Sequence, residues 1–145
     1  MGEAILVLNP KLGADLKFIR KQAAQLPSKT RFIASQFHRY LSDNLNLQIA
    51  KHSCDLAEML VQNLAQVPQI TVTQPRQSNA VFAIIPQAWI KPLREDFFFY
   101  VWDEKTFECR LMTSWDSKAA EIENFISRVK ILSSAPQLTD QDLAE

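Results

Sequence analysis

Neither sign of charge prevails in this sequence: sixteen lysines and arginines stand against sixteen aspartates and glutamates, a formal net charge of zero. No global field therefore draws in nucleic acid or an anionic membrane, and any charged partner has to be handled locally. Cysteine and histidine are scarce, two of each. Cys54 and Cys109 have no CxxC spacing, so neither a disulfide framework nor a zinc site is indicated, and a reducing, cytoplasmic setting is the expectation. Long apolar runs are missing as well. The opening MGEAILVLNP is too short for a membrane span and too poor in positive charge for a signal peptide. Internal repeats and low-complexity stretches are absent.

What remains is an ordinary globular composition, 145 residues with 47% hydrophobic and 22% charged, enough for one real core. Residues 4–8 are continuously apolar, which predicts a strand covered on both faces. Asn9 and Pro10 can start a helix in which Leu12, Leu16, Ile19 and Ala23 recur until Pro27. Ile33, Phe37, Tyr40 and Leu41 share one face of a second helix, interrupted at residues 42–44. Over residues 47–67 the stripe of Ile49, Leu56, Leu60 and Leu64 predicts a long amphipathic helix that Pro68 ends. The texture then turns β-branched and aromatic: ITVT, AVFAIIP, FFFYVWD and ECRLMTSW predict four strands, the last two antiparallel across a hairpin at residues 104–107. A short helix fits residues 87–96. A final one, capped by Asp116 or Ser117, carries Ile122, Phe125, Ile126 and Val129, and a polar tail follows. This order predicts an α+β fold, a small antiparallel or mixed sheet with helices packed on one face.

One residue breaks the β pattern. Alternation puts Arg110 on a face with Glu108, Met112 and Ser114, opposite Cys109, Leu111, Thr113 and Trp115. A guanidinium offers a planar fork that takes a carboxylate bidentately, and such a charge-assisted pair contributes roughly 1.5–3 kcal/mol. The plainer alternative is a solvated ion pair with Glu108 or Asp96. His38 and His52 form neither a metal pair nor a Cys-His dyad and read as structural. The run from Phe97 to Trp102 lacks the interleaved cations of a nucleic-acid stacking platform and reads as core and interface.

Four segments in register, GEAILVLNP, RKQAAQLPSKTRFIASQF, QPRQSNAVFAIIP and FYVWDEKTFECRLMTSWD, resemble the C-terminal part of low-specificity threonine aldolases, which are β-eliminating-lyase-like enzymes of pyridoxal-phosphate fold type I. The resemblance covers nearly the whole chain and somewhat under half of a family member. It implies cleavage of β-hydroxy-α-amino acids to glycine and an aldehyde on pyridoxal phosphate, held as a Schiff base on a lysine that lies just before the segment matching GEAILVLNP. It implies that residues 1–43 are a remnant of the large cofactor domain, residues 44–133 the C-terminal small domain and residues 134–145 a flexible tail. RLMTSWD matches, at Arg110, Thr113, Ser114 and Asp116, a family pattern whose arginine grips the substrate α-carboxylate. Lys29 and Arg31 fall where the family places basic side chains near the cofactor, although QLPSK replaces the glycine-rich run of many relatives. Asn79 matches a recurrent family asparagine, with a backbone-tying role favoured. The expectation is a fragment without the cofactor lysine, inactive alone and binding no cofactor alone, that forms a homo-oligomer. A non-catalytic assembly domain and a fragment complemented by a separate N-terminal half are the alternatives.

Overall fold

A computed structural model of the chain describes residues 2–135. Of the tail expected at residues 134–145, Ser134 still belongs to a helix and residues 136–145 lie outside the described residues. The chain divides into two compact units, Met1–Leu47 and Gln48–Glu145.

The first unit is helical. Asn9 accepts a hydrogen bond from the Lys11 backbone N–H at 3.0 Å and caps α1 (Pro10–Gly13), with Pro10 in the first turn. The single helix expected here is two, because the ladder breaks after Gly13 and restarts as α2 (Leu16–Gln22) behind Asp15. Helix α3 (Thr30–Leu41) is amphipathic, with Ile33 and Phe37 its least exposed positions. A turn of 3-10 helix (Ser42–Asn44) then interrupts, with Asp43 and Asn44 both left-handed (φ 55° and 57°). Short polar side chains tolerate that region best, so the interruption sits where the sequence can accept it. Residues 4–8 form no strand, contrary to expectation, and Ile5, Leu6 and Leu8 are exposed. A sequence suited to a doubly covered strand is paired with no other strand among the described residues.

The second unit is the expected small sheet with helices on one face. Helix α4 (Leu45–Leu64) is followed by β1 (Thr71–Val72), β2 (Ala80–Ile84), α5 (Gln87–Asp96), β3 (Tyr100–Asp103), β4 (Glu108–Met112) and α6 (Ala119–Ser134). The strands are antiparallel throughout, in the order β1-β2-β4-β3. Val81, Ala83, Cys109 and Leu111 face the helical layer, where Leu56, Leu60 and Leu64 of α4, Leu93 of α5 and Ile122, Phe125, Ile126 and Val129 of α6 complete the core. Burying one such leucine contributes about 1.5–3 kcal/mol, which is why α4, with three at i, i+4 spacing, anchors the layer. Helix α6 starts later than expected. Its cap position is Lys118, whose backbone N–H donates to the Glu121 carboxylate at 3.0 Å, while the Ser117 hydroxyl accepts instead from the Ser114 backbone N–H at 2.9 Å.

Candidate carboxylate-binding site

Arg110 lies on β4, an inner strand of the sheet, with Phe82 of β2 directly opposite on one side and Tyr100 of β3 on the other. Alternation places these three on the face away from the helices, together with Ala80, Ile84, Glu108 and Met112. This face is aromatic and largely open: Tyr100 is 58% exposed, Trp102 59% and Met112 51%. Phe98, just before β3, adds an edge-to-face contact with Tyr100 at 5.0 Å between ring centroids.

The guanidinium lies over the ring of Trp102. Its Cζ stands 5.4 Å from the centre of the Trp102 ring, and Trp102 meets Phe82 edge-to-face at 5.7 Å. Cation–π contact of this kind favours the charged side chain by roughly 0.5–1 kcal/mol at a partly exposed position. Neither carboxylate proposed as a bland partner pairs with it. Asp96 makes its ion pair with Arg128 at 3.7 Å, and Glu108 accepts a hydrogen bond from the Thr73 hydroxyl. Arg110 has no ion pair among the described residues, and its Nε is enclosed without a hydrogen-bond partner.

The rest of the RLMTSWD pattern builds support around this strand. Thr113 is 2% exposed, and its hydroxyl donates to the Ser53 carbonyl of α4 at 2.7 Å. The Asn79 side-chain amide donates to the Thr113 carbonyl at 2.7 Å, and the Thr113 backbone N–H returns a bond to the Asn79 carbonyl at 3.1 Å. Asn79 thus has the backbone-tying role, closing the open end of the β2–β4 pair. A turn from Ser114 to Ser117 follows. His52 of α4 is hydrogen-bonded to the Ser117 carbonyl at 2.8 Å, a structural histidine as the sequence suggested.

Lys29 and Arg31 belong to the first unit. Both are exposed, Lys29 at the cap position of α3 without a side-chain capping bond, and Arg31 with its guanidinium 5.1 Å from the centre of the neighbouring Phe32 ring. A Schiff-base lysine needs a desolvated pocket to keep its amine reactive, and all nine lysines of the chain are exposed. The described residues therefore do not fit pyridoxal phosphate by themselves. They also hold no cluster of three or more histidine, cysteine, aspartate or glutamate side chains that could bind a metal ion, and no helix among them is long and apolar enough to cross a membrane.

Arg110 itself lines neither of two cavities found among the described residues. An open groove of about 920 Å³ runs between α5 and the β3–β4 hairpin, lined by Ile90, Lys91, Arg94, Tyr100, Glu104 and Phe107 among others. A smaller one of about 340 Å³ lies between α6 and the segment around Phe97–Phe99. What sequence reasoning missed is the aromatic surround of Arg110. The available signal was the alternation in FFFYVWD, which by itself puts Phe98, Tyr100 and Trp102 on one side and Phe97, Phe99 and Val101 on the other.

No family model matches the chain. It is 30% identical over 135 residues to the low specificity L-threonine aldolase of Pseudomonas sp. (strain NCIMB 10558), and 32% identical over 136 residues to the enzyme of the same name from Pseudomonas aeruginosa. Each match takes in 93% of this chain and 39% of the relative. Among solved structures, threonine aldolase from Leishmania major superposes with a TM-score of 0.79 at 29% identity, over 88% of this chain and 38% of that one. The chain thus spans about two-fifths of the length of the relatives it matches.

Proposed function

Taking its kinship in sequence and fold with the threonine aldolases as the premise, we propose that this chain supplies the arginine that grips the α-carboxylate of a β-hydroxy-α-amino acid, within an assembly that cleaves it to glycine and an aldehyde. One observation carries the reading. Arg110 is a cation in the middle of a largely open aromatic face, with Glu108 and Asp96, the two carboxylates expected as its plainer partners, engaged elsewhere and no ion pair of its own among the described residues. A carboxylate is the planar, bidentate complement that such a fork lacks. Its work is binding and orientation: pinning the acid end of the substrate fixes where the Cα–Cβ bond lies relative to the reacting group.

Pyridoxal phosphate, when bound in such an enzyme, serves as the electron sink. On this reading its lysine and the cradle for its ring come from the part of the family's length that this sequence does not span, and the 145 residues alone are inactive. Lys29 and Arg31 are the exposed cations this chain offers toward the cofactor's phosphate. The exposed apolar side chains of the first unit, with Ile5, Leu6 and Leu8 each over four-fifths exposed, suit a chain that associates with copies of itself or with a complementing N-terminal half.

Calorimetric titration of the chain with glycine tests the assignment. Binding in the millimolar range is expected, and Arg110→Ala should abolish it. Equal binding by the variant would favour a non-catalytic assembly domain. A borohydride-reducible pyridoxal adduct at one stoichiometric lysine, together with threonine cleavage, would overturn the claim of inactivity. Sedimentation should show a species heavier than the 16.6 kDa monomer.

A further inference from the structure

The guanidinium of Arg110 has two edges that can take a carboxylate, a side edge made by Nε with one terminal nitrogen and an end edge made by Nη1 and Nη2. The two are not equivalent here. Nε is enclosed and makes no hydrogen bond, whereas neither terminal nitrogen is among the enclosed, unpartnered atoms. An N–H kept from water without an acceptor is unfavourable, so something must hold the side chain in this pose. Aromatic groups are at hand to do so. The Trp102 ring stands 5.4 Å from Cζ, and its contact with Phe82 reaches over β4 from a neighbouring strand on each side. Trp102 sits at the register shift between Val101 and Asp103, where β3 departs from regular pairing with β4. A bulge re-aims the side chain it carries, and this one carries the ring that meets the guanidinium.

We propose that Trp102, braced by Phe82, is a positioning residue for the carboxylate site: it covers Nε and presents the Nη1–Nη2 edge, so that a carboxylate docks end-on. The inference rests on the assignment of Arg110 as the carboxylate fork and adds its geometry and the residue that imposes it. Trp102 itself touches no substrate. Because Trp102 is 59% exposed and lies outside the buried core, replacing it should leave the fold intact.

The test is nitrogen-15 spectroscopy of the arginine side chains in the full chain, with Arg110 assigned by the signals lost in Arg110→Lys and glycine as the probe. In the unaltered chain the Nε–H exchanges slowly with water, and glycine shifts the Nη resonances while leaving Nε in place. Trp102→Leu should speed Nε–H exchange at least tenfold and weaken glycine binding several-fold, and Trp102→Phe, which keeps an aromatic face, should restore both. Circular dichroism confirms that each variant is folded. A glycine-induced shift of Nε in the unaltered chain means side-on docking and overturns this inference while leaving Arg110 as the fork. Unchanged exchange and affinity in Trp102→Leu overturn it too. If no guanidinium resonance responds to glycine, the carboxylate assignment fails and the docking geometry fails with it.

Discussion

The two units use the same chain chemistry to opposite ends. In the second, seventeen hydrophobic residues between Leu56 and Val129 are buried around one sheet and three helices. In the first, no described residue is buried, and Ile5, Leu6, Leu8, Leu12, Phe18 and Phe32 are all more than half exposed. A unit that keeps its apolar side chains in water has little of its own to hold it, because hydrophobic burial is the main term opposing chain entropy. The second unit has a core of its own, and the described residues of the first leave their apolar side chains uncovered.

The sharpest way to break that contrast is a matched pair of truncations. Leu64→Ala, at a side chain with no exposure, should cost about 2–5 kcal/mol by urea unfolding. Leu6→Ala or Phe18→Ala in the first unit should stay within about 0.5 kcal/mol. Comparable losses would mean that the first unit has a core after all. Next in size, Thr113→Val keeps the shape but removes the hydroxyl that ties β4 to the Ser53 carbonyl of α4, and should cost about 0.5–1.5 kcal/mol.

The thiols give a third probe. Burial pushes Cys109 up to about 11 from an ordinary 9.0, with Glu108 adding to the shift and Arg94 opposing it. The folded state then holds its proton where the unfolded chain releases it, so stability falls as pH rises from about 9 through 11 and is unaffected at neutral pH. At pH 8 a thiol reagent should modify half-buried Cys54 in the folded chain, and Cys109 only after unfolding. Two fast thiols would deny the second unit its closed core. The smallest effect belongs to the 2.7 Å pair of Arg76 with Glu58, whose carboxyl is held below its ordinary 4.5 by the Arg76 hydrogen bond first and by Gln62 second. Its contribution is present at neutral pH and is lost as pH falls below 4.5 through the lowered value. Glu58→Gln should remove that acid-limb dependence with little change at pH 7 in moderate salt.

Much of this contrast was legible in the sequence, and the exceptions share a cause. Helices α3 and α4, the four strands and the one-sided packing follow from periodicity, because one buried face imposes its own repeat on the residues that line it. Residues 4–8 defeated that logic: a doubly apolar run predicts a strand only where strands exist to flank it. The start of α6 was misplaced because Ser117 is a good cap in isolation, yet its hydroxyl serves the turn at Ser114 and Glu121 does the capping. For the candidate site, the side of β4 that Arg110 occupies was readable from alternation. Its neighbours were not. Phe82 and Tyr100 meet it through a register that no local pattern encodes, and Trp102 reaches it through a bulge.

The outermost strands of the sheet leave one further mark on how such a chain can assemble. On one flank β1 offers only Thr71 and Val72, and on the other β3 is kinked between Val101 and Asp103. Truncated and bent margins are poor templates for adding another strand. Edge-to-edge ribbon growth from these margins is thereby disfavoured, and any contact between copies would fall to side-chain surfaces instead.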